Sequence, residues 1–106
     1  MQQGFFQQHW VDENDAPAGG VSSGTGFTVS WQNGPLGVAG ARLQPNGAFV
    51  EDVIAACIGR IECYQNSKFA SLFNEAALDH LRLALDALAR RTRDREARGV
   101  EGTHSA

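Results

Sequence analysis

Five arginines fall within nine residues, at Arg90, Arg91, Arg93, Arg95 and Arg98. With Asp94 and Glu96 the block carries five positive charges against two negative, in a chain whose formal net charge is −3. On a helix, Arg91 and Arg95 share a face about 6 Å apart. Two guanidinium forks at that spacing suit a diphosphate, because each can bind it bidentately. The competing reading is a solvated helix end whose cations pair with their neighbours and complement the negative end of the helix dipole. Other chemistries find less to work with. No GxSxG, HExxH or P-loop is present, and the glycine-rich stretch "APAGGVSSGTG" lacks the GK[ST] ending of a phosphate cradle. Glu75 and Asp79 lie one turn apart but read as a solvated face, and His80 reads as a surface residue. Cys57 and Cys63, placed on one helix, would be about 9 Å apart, too far for a mutual disulfide, and read as free thiols. There is no CxxC pair and there are only 3 histidines. The expectation is a non-enzyme with no catalytic residues, no metal and no cofactor.

The elements that would position the arginines divide the chain near Asn46. All 3 prolines and nine of the 12 glycines lie at or before Gly47. Residues 1–25 read as a flexible or loosely attached segment, with 16–26 as a connector. "FTVSWQ" alternates Phe27, Val29 and Trp31 with polar residues, the period of a half-buried strand. "NGP" is turn chemistry, and "LGVAGARLQ" can return as a second strand, giving a small antiparallel sheet over about residues 27–44. Arg42 is the one charged residue between Ala16 and Val50. It sits either at an exposed strand edge or toward something anionic.

From about residue 49 the period becomes helical. Val50, Val53, Ile54, Cys57, Ile58, Ile61 and Tyr64 form one stripe, with Glu51 and Asp52 in the first turn. "QNSK" breaks this helix near residue 64. Ser71 caps a second one, whose stripe is Leu72, Phe73, Ala76, Leu81, Leu85 and Leu88, and Gly99 stops it after residue 98. Residues 26–106 thus read as a single α+β domain, a small sheet followed by a two-helix antiparallel hairpin. The first helix spans about 24 Å and the second about 42 Å, so the arginine half overhangs its partner. That half must lie on the sheet, project into water or pack against another subunit. The acidic balance speaks against DNA or RNA as partner. No apolar run is long enough to span a membrane, and "MQQGFFQQHW" lacks the pattern of a secretory signal, so export is not expected.

The segment from Glu51 to His104 resembles the C-terminal helical hairpin of the Thoeris anti-defence family of phage proteins, first type. The carriers are the Glu51–Asp52 helix start, the Tyr64–Gln65 pair before the turn, Asn74 early in the second helix, and the "RT-x-x-R-x-x-R-G-V-E-G-T-H" ending. "WQNGPLG" and "PNG" are similar to elements of the family's sheet region. Where the family reads "FACREN", this chain reads "FASLFN", with Leu72 and Phe73 in place of Arg-Glu. The resemblance implies a sponge that binds a cyclic ADP-ribose isomer, glycocyclic ADP-ribose, in the cytoplasm of the infected bacterium and withholds it without cleavage. For some members it also implies cyclic di- or trinucleotides of CBASS defence at separate sites in a hexamer. The ligand contacts it implies are Tyr64 stacking on adenine, Asn74 bonding a base or ribose edge, and Arg91 and Arg95 on the diphosphate. Arg42 is the candidate for a further basic contact from the sheet region. Asn74 and Arg91 are 17 residues apart on one helix, about 26 Å, so one small ligand can meet both only if the arginines come from a second, antiparallel subunit of a homo-oligomer. The alternative is an oligomerising interaction or structural phage protein with no nucleotide ligand.

Overall fold

The computed structural model describes residues 1–38 and 40–106. Its order is β1 (Phe5–Val11), β2 (Pro17–Gly24), β3 (Phe27–Asn33), α1 (Val50–Gln65) and α2 (Leu72–Ala97). The α+β class holds, with an antiparallel sheet in the order β1-β2-β3 preceding two helices. The chain forms two compact units, residues 1–49 with 98–106, and residues 50–97.

The sheet is displaced toward the N-terminus from its expected position. Residues 1–25, expected to be flexible or loosely attached, contain two of the three strands, and the supposed connector is β2, the central one. Among the described residues of 36–44 no strand forms, and residue 39 lies outside them. The physical reason lies in the size of the β2 side chains. A Cβ at Gly20 would stand 2.4 Å from the Gln8 carbonyl oxygen, and one at Gly24 would stand 2.8 Å from Phe5 Cβ. Small residues therefore let both neighbouring strands close over the middle of the sheet, and the glycines that signal flexibility in composition are a packing requirement here. Phe5 and Phe27 meet edge-on across Gly24, with ring centroids 5.6 Å apart. Next along the same face, the Ser22 hydroxyl donates to Gln7 Oε1 (2.7 Å) and accepts from Trp31 Nε1 (2.9 Å). Ser22 is only 4% exposed, and this cross-strand row satisfies it.

The turn between β1 and β2 is closed by Asp12. Its Oδ1 accepts from the main-chain N–H groups of Asn14 (2.8 Å) and Ala16 (3.0 Å). Those two bonds, Ala16 first, hold the Asp12 carboxyl below its ordinary range. The second turn is Thr25–Gly26, with Gly26 at φ +85°.

The "WQNGP" and "PNG" motifs form one clasp. Gln32 Oε1 accepts from the N–H groups of Asn46 (2.9 Å) and Gly47 (3.2 Å). Asn46 returns the contact, its Oδ1 accepting from Asn33 N (2.8 Å) and its Nδ2 donating to Asn33 O (2.8 Å). Ala48 then bridges β3 in parallel sense, donating to Ser30 O (2.7 Å) and accepting from Gln32 N (3.0 Å).

In the helical unit, α1 and α2 begin and end within about one residue of their expected bounds. Ser71 caps α2, its hydroxyl accepting from Asn74 N (3.1 Å), and Gly99 follows the helix at φ +73°. The stripe of α1 is half-buried at Val53, Ile54, Ile58 and Ile61, whereas Val50, Cys57 and Tyr64 are exposed. The stripe of α2 holds at Leu81, Leu85 and Leu88 but departs from expectation in the first turns. Leu72, Phe73 and Ala76 are exposed, and the inward positions are Asn74, Ala77, Leu78, Leu81, Ala84, Leu85 and Leu88. Leu78, 2% exposed, is the single buried hydrophobic side chain among the described residues.

A Cβ at Gly47 would stand 2.6 Å from the Trp31 carbonyl carbon, where backbone cannot yield. Gly47→Ala is expected to cost about 1–3 kcal/mol and lower the thermal midpoint. A melt superimposable on the parent would contradict the clasp.

Candidate functional site

The hairpin turn concentrates polar side chains around Gln65, the last residue of α1. Gln65 Oε1 accepts from Ser71 N (2.9 Å) and from Asn74 Nδ2 (3.0 Å). Its Nε2 donates to Ser71 O (3.1 Å) and Glu75 Oε1 (3.1 Å). Asn74 Nδ2 also donates to Phe69 O (3.1 Å), so both its amide hydrogens serve the turn. The Asn74 group available to a ligand is therefore Oδ1, an acceptor. The Gln65–Asn74 bond holds Asn74 on the inward face that continues through Leu78, Leu81, Leu85 and Leu88, while Leu72 and Phe73 are 86% and 87% exposed.

Tyr64 precedes Gln65 and is 39% exposed. Arg60, one turn earlier on α1, donates through Nε to Tyr64 Oη (3.1 Å), and its guanidinium carbon lies 5.0 Å from the ring centroid. Tyr64 and Asn74 thus flank one turn.

Arg91 and Arg95 are near the other end of α2, Arg91 exposed and Arg95 half-buried. Arg90 pairs with Asp86 at 3.2 Å, one turn back, and Arg98 Nη2 donates to Ala106 O (2.9 Å). The expected self-pairing of the block is therefore present in part. The 17 residues from Asn74 to Arg91 are one continuous helix, a rise of about 26 Å, so a single chain does not bring Tyr64 and Asn74 together with the arginines.

Arg42 lies in the other unit and has an anionic partner there. Its Nη1 donates to Glu101 Oε1 (3.1 Å), and its Nη2 engages Glu101 Oε2. This fork ties the loop after β3 to the "GVEGTH" segment, beside a main-chain bond from Gly37 N to Gly102 O (2.7 Å). Arg42 is on neither a strand nor a strand edge.

No protein-family model matches the chain. Over 77 residues, 73% of its length, it is 47% identical to Thoeris anti-defense 1 of Bacillus phage SBSphiJ7. The chain belongs to the Thoeris anti-defence family. The match covers 51% of that relative, so the chain spans about half of its length. Within the anti-defence chain, no helix among the described residues is long and apolar enough to cross a membrane. Nor do three metal-ligating side chains come together among them.

Sequence reasoning singled out Tyr64 and Asn74 but gave no role to Gln65, which links them, or to Arg60. Gln65 reaches nine residues ahead to Asn74, a range that periodicity does not register, whereas the Arg60–Tyr64 pair has helical i,i+4 spacing but uses a hydroxyl that a hydrophobic pattern counts only as aromatic.

Gln65→Ala removes four hydrogen bonds and is expected to destabilise the fold by about 2 kcal/mol. Gln65→Glu keeps the two acceptor roles but sets a carboxylate oxygen against Ser71 O and Glu75 Oε1, so it should also lower the urea midpoint at neutral pH. Equal midpoints for all three proteins would show that the network does not hold the turn.

Proposed function

We propose that this protein is a sponge for a cyclic ADP-ribose isomer, glycocyclic ADP-ribose, made by bacterial Thoeris immunity. It acts in the cytoplasm of the infected host and holds the nucleotide without cleaving it. The observation that carries the reading is the pairing of family membership with the two-ended disposition of α2. One end offers an exposed aromatic ring and an amide oxygen, the other two guanidinium groups one turn apart. Adenine stacks on Tyr64, Asn74 Oδ1 accepts from a ribose hydroxyl or the base amine, and Arg91 and Arg95 grip the diphosphate. Because the two ends lie about 26 Å apart, the pocket takes its arginines from a second copy running antiparallel. Arg42 lies in the other unit, where its fork is held by Glu101, and takes no part in this pocket.

Sequestration needs no nucleophile or general base. It works by stoichiometry, lowering free signal in proportion to protein concentration and affinity. A family member with extra sites for CBASS cyclic di- or trinucleotides, assembled as a hexamer, would act in the same way on those ligands.

The test is to mix purified protein with glycocyclic ADP-ribose, filter, heat-denature the retained protein and analyse the released small molecule. Depletion of the filtrate followed by recovery of unchanged nucleotide is expected. Arg91→Ala or Arg95→Ala should weaken binding by about ten- to hundredfold, the loss of one charge-assisted fork. Recovery of a cleaved product would make the protein an enzyme. No depletion, with unaltered behaviour of both arginine variants, would leave the hairpin as an interaction module without this ligand.

A further inference from the structure

Tyr64 is the only tyrosine of the chain, and its ring is not left to rotate freely. Arg60 stands one helical turn before it, an i,i+4 pair on α1. The Arg60 Nε–H bonds the phenol oxygen at 3.1 Å while the guanidinium carbon stands 5.0 Å from the ring centroid. One side chain therefore restrains the ring at its hydroxyl and also covers part of one face. Tyr64 is 39% exposed, so ring surface is left for a flat ligand. The phenol accepts this bond through its oxygen, so a phenylalanine at the same place would keep the stack and lose the tether. The interaction also raises the Arg60 pKa, with the Tyr64 bond as the leading cause.

We propose that Arg60 is the positioning residue of the nucleotide site: it locks Tyr64 in one rotamer and backs its ring, so that the open face is presented to a purine as a preformed platform. This rests on the sponge reading above. Two physical effects support it. A ring already held in place loses less side-chain freedom when a base stacks on it. A cation on one face also draws ring electron density toward itself, which favours an electron-rich purine on the other.

The experiment compares the full-length parent with Arg60→Ala, Arg60→Lys, Tyr64→Phe and the Arg60→Ala/Tyr64→Phe double variant, titrated with glycocyclic ADP-ribose by calorimetry. The same proteins, labelled with ring-¹³C tyrosine where Tyr64 is kept, are followed by NMR, the single tyrosine giving one assigned probe. Arg60→Ala should weaken binding by about three- to tenfold, Tyr64→Phe by less, and the double variant by no more than Arg60→Ala alone. Arg60→Lys keeps the cation without the fork and should recover part of the loss. In the parent the ring signals should lie away from free-tyrosine positions before ligand is added and move upfield on stacking. In Arg60→Ala they should start near the free positions. If Arg60→Ala binds within twofold of the parent, or leaves the ring signals unmoved, the positioning role is wrong even though the sponge stands. If the parent itself leaves the nucleotide in the filtrate, the sponge reading fails, and the Arg60 role with it.

Discussion

A continuous helix rises about 1.5 Å per residue and does not fold back on itself, and this rigidity governs what the helical unit can do. α2 carries Asn74 in its first turn and Arg95 in its last, and it is unbroken between them. Any ligand small enough to stack on one aromatic ring leaves the other end of that helix untouched. Function therefore turns on what meets each end, and the sparse core bears on the same point. Leu78 is the one buried hydrophobic side chain among the described residues, while Phe69, Leu72 and Phe73 project from the hairpin tip at 68–87% exposure. A unit with so little interior and so much exposed apolar surface is built to be covered by something else. The antiparallel second copy proposed above would answer both needs at once, covering apolar surface and bringing arginines to the turn.

Each unit is held less by apolar packing than by a few polar side chains that close its backbone. Gln65 closes the helical hairpin, and the Gln32–Asn46 clasp closes the loop after β3. In both cases one amide side chain satisfies main-chain groups that would otherwise lie open at an element's end. Where a core is thin, such closures supply the specificity that packing provides in larger domains. They also limit the ligand chemistry. Asn74 cannot offer its amide hydrogens without opening the turn, so in the proposed pocket the group that meets it would have to be a donor.

Much of this was legible from the residues alone. The two helices, the Ser71 cap, the Gly99 stop and the strand around Phe27–Trp31 follow from period and capping chemistry, which act locally. The central strand was hidden because "PAGGVSSG" has the composition of a linker. Its small side chains gain meaning only from Phe5, Phe27 and Trp31, which reach across it from other strands. The first turns of α2 were misread for a related reason. Leu72 and Phe73 are more apolar than Asn74, yet Asn74 holds the inward position, bonded to Gln65. Arg42 stood out as a lone charge, and its partner Glu101 lies 59 residues away, a pairing no local pattern encodes. Of the candidate contacts, Tyr64 and Asn74 do lie at one turn and Arg91 and Arg95 at one helix end. The rise of the helix alone required a second chain to unite them.

The most direct test of that requirement is subunit complementation. Tyr64→Ala and Arg91→Ala proteins are purified separately, shown to retain little nucleotide, then unfolded together, refolded as an equimolar mixture and assayed for retention of glycocyclic ADP-ribose. If each pocket takes Tyr64 from one copy and Arg91 from the other, half of randomly paired dimers are mixed, and each mixed dimer holds one intact pocket. Capacity should then return to about one quarter of the parent's, as pairing statistics for a two-fold dimer require. If all contacts come from one chain, every pocket in the mixture carries a substitution. Capacity would then stay at the level of the separate variants, and the intersubunit site would be refuted.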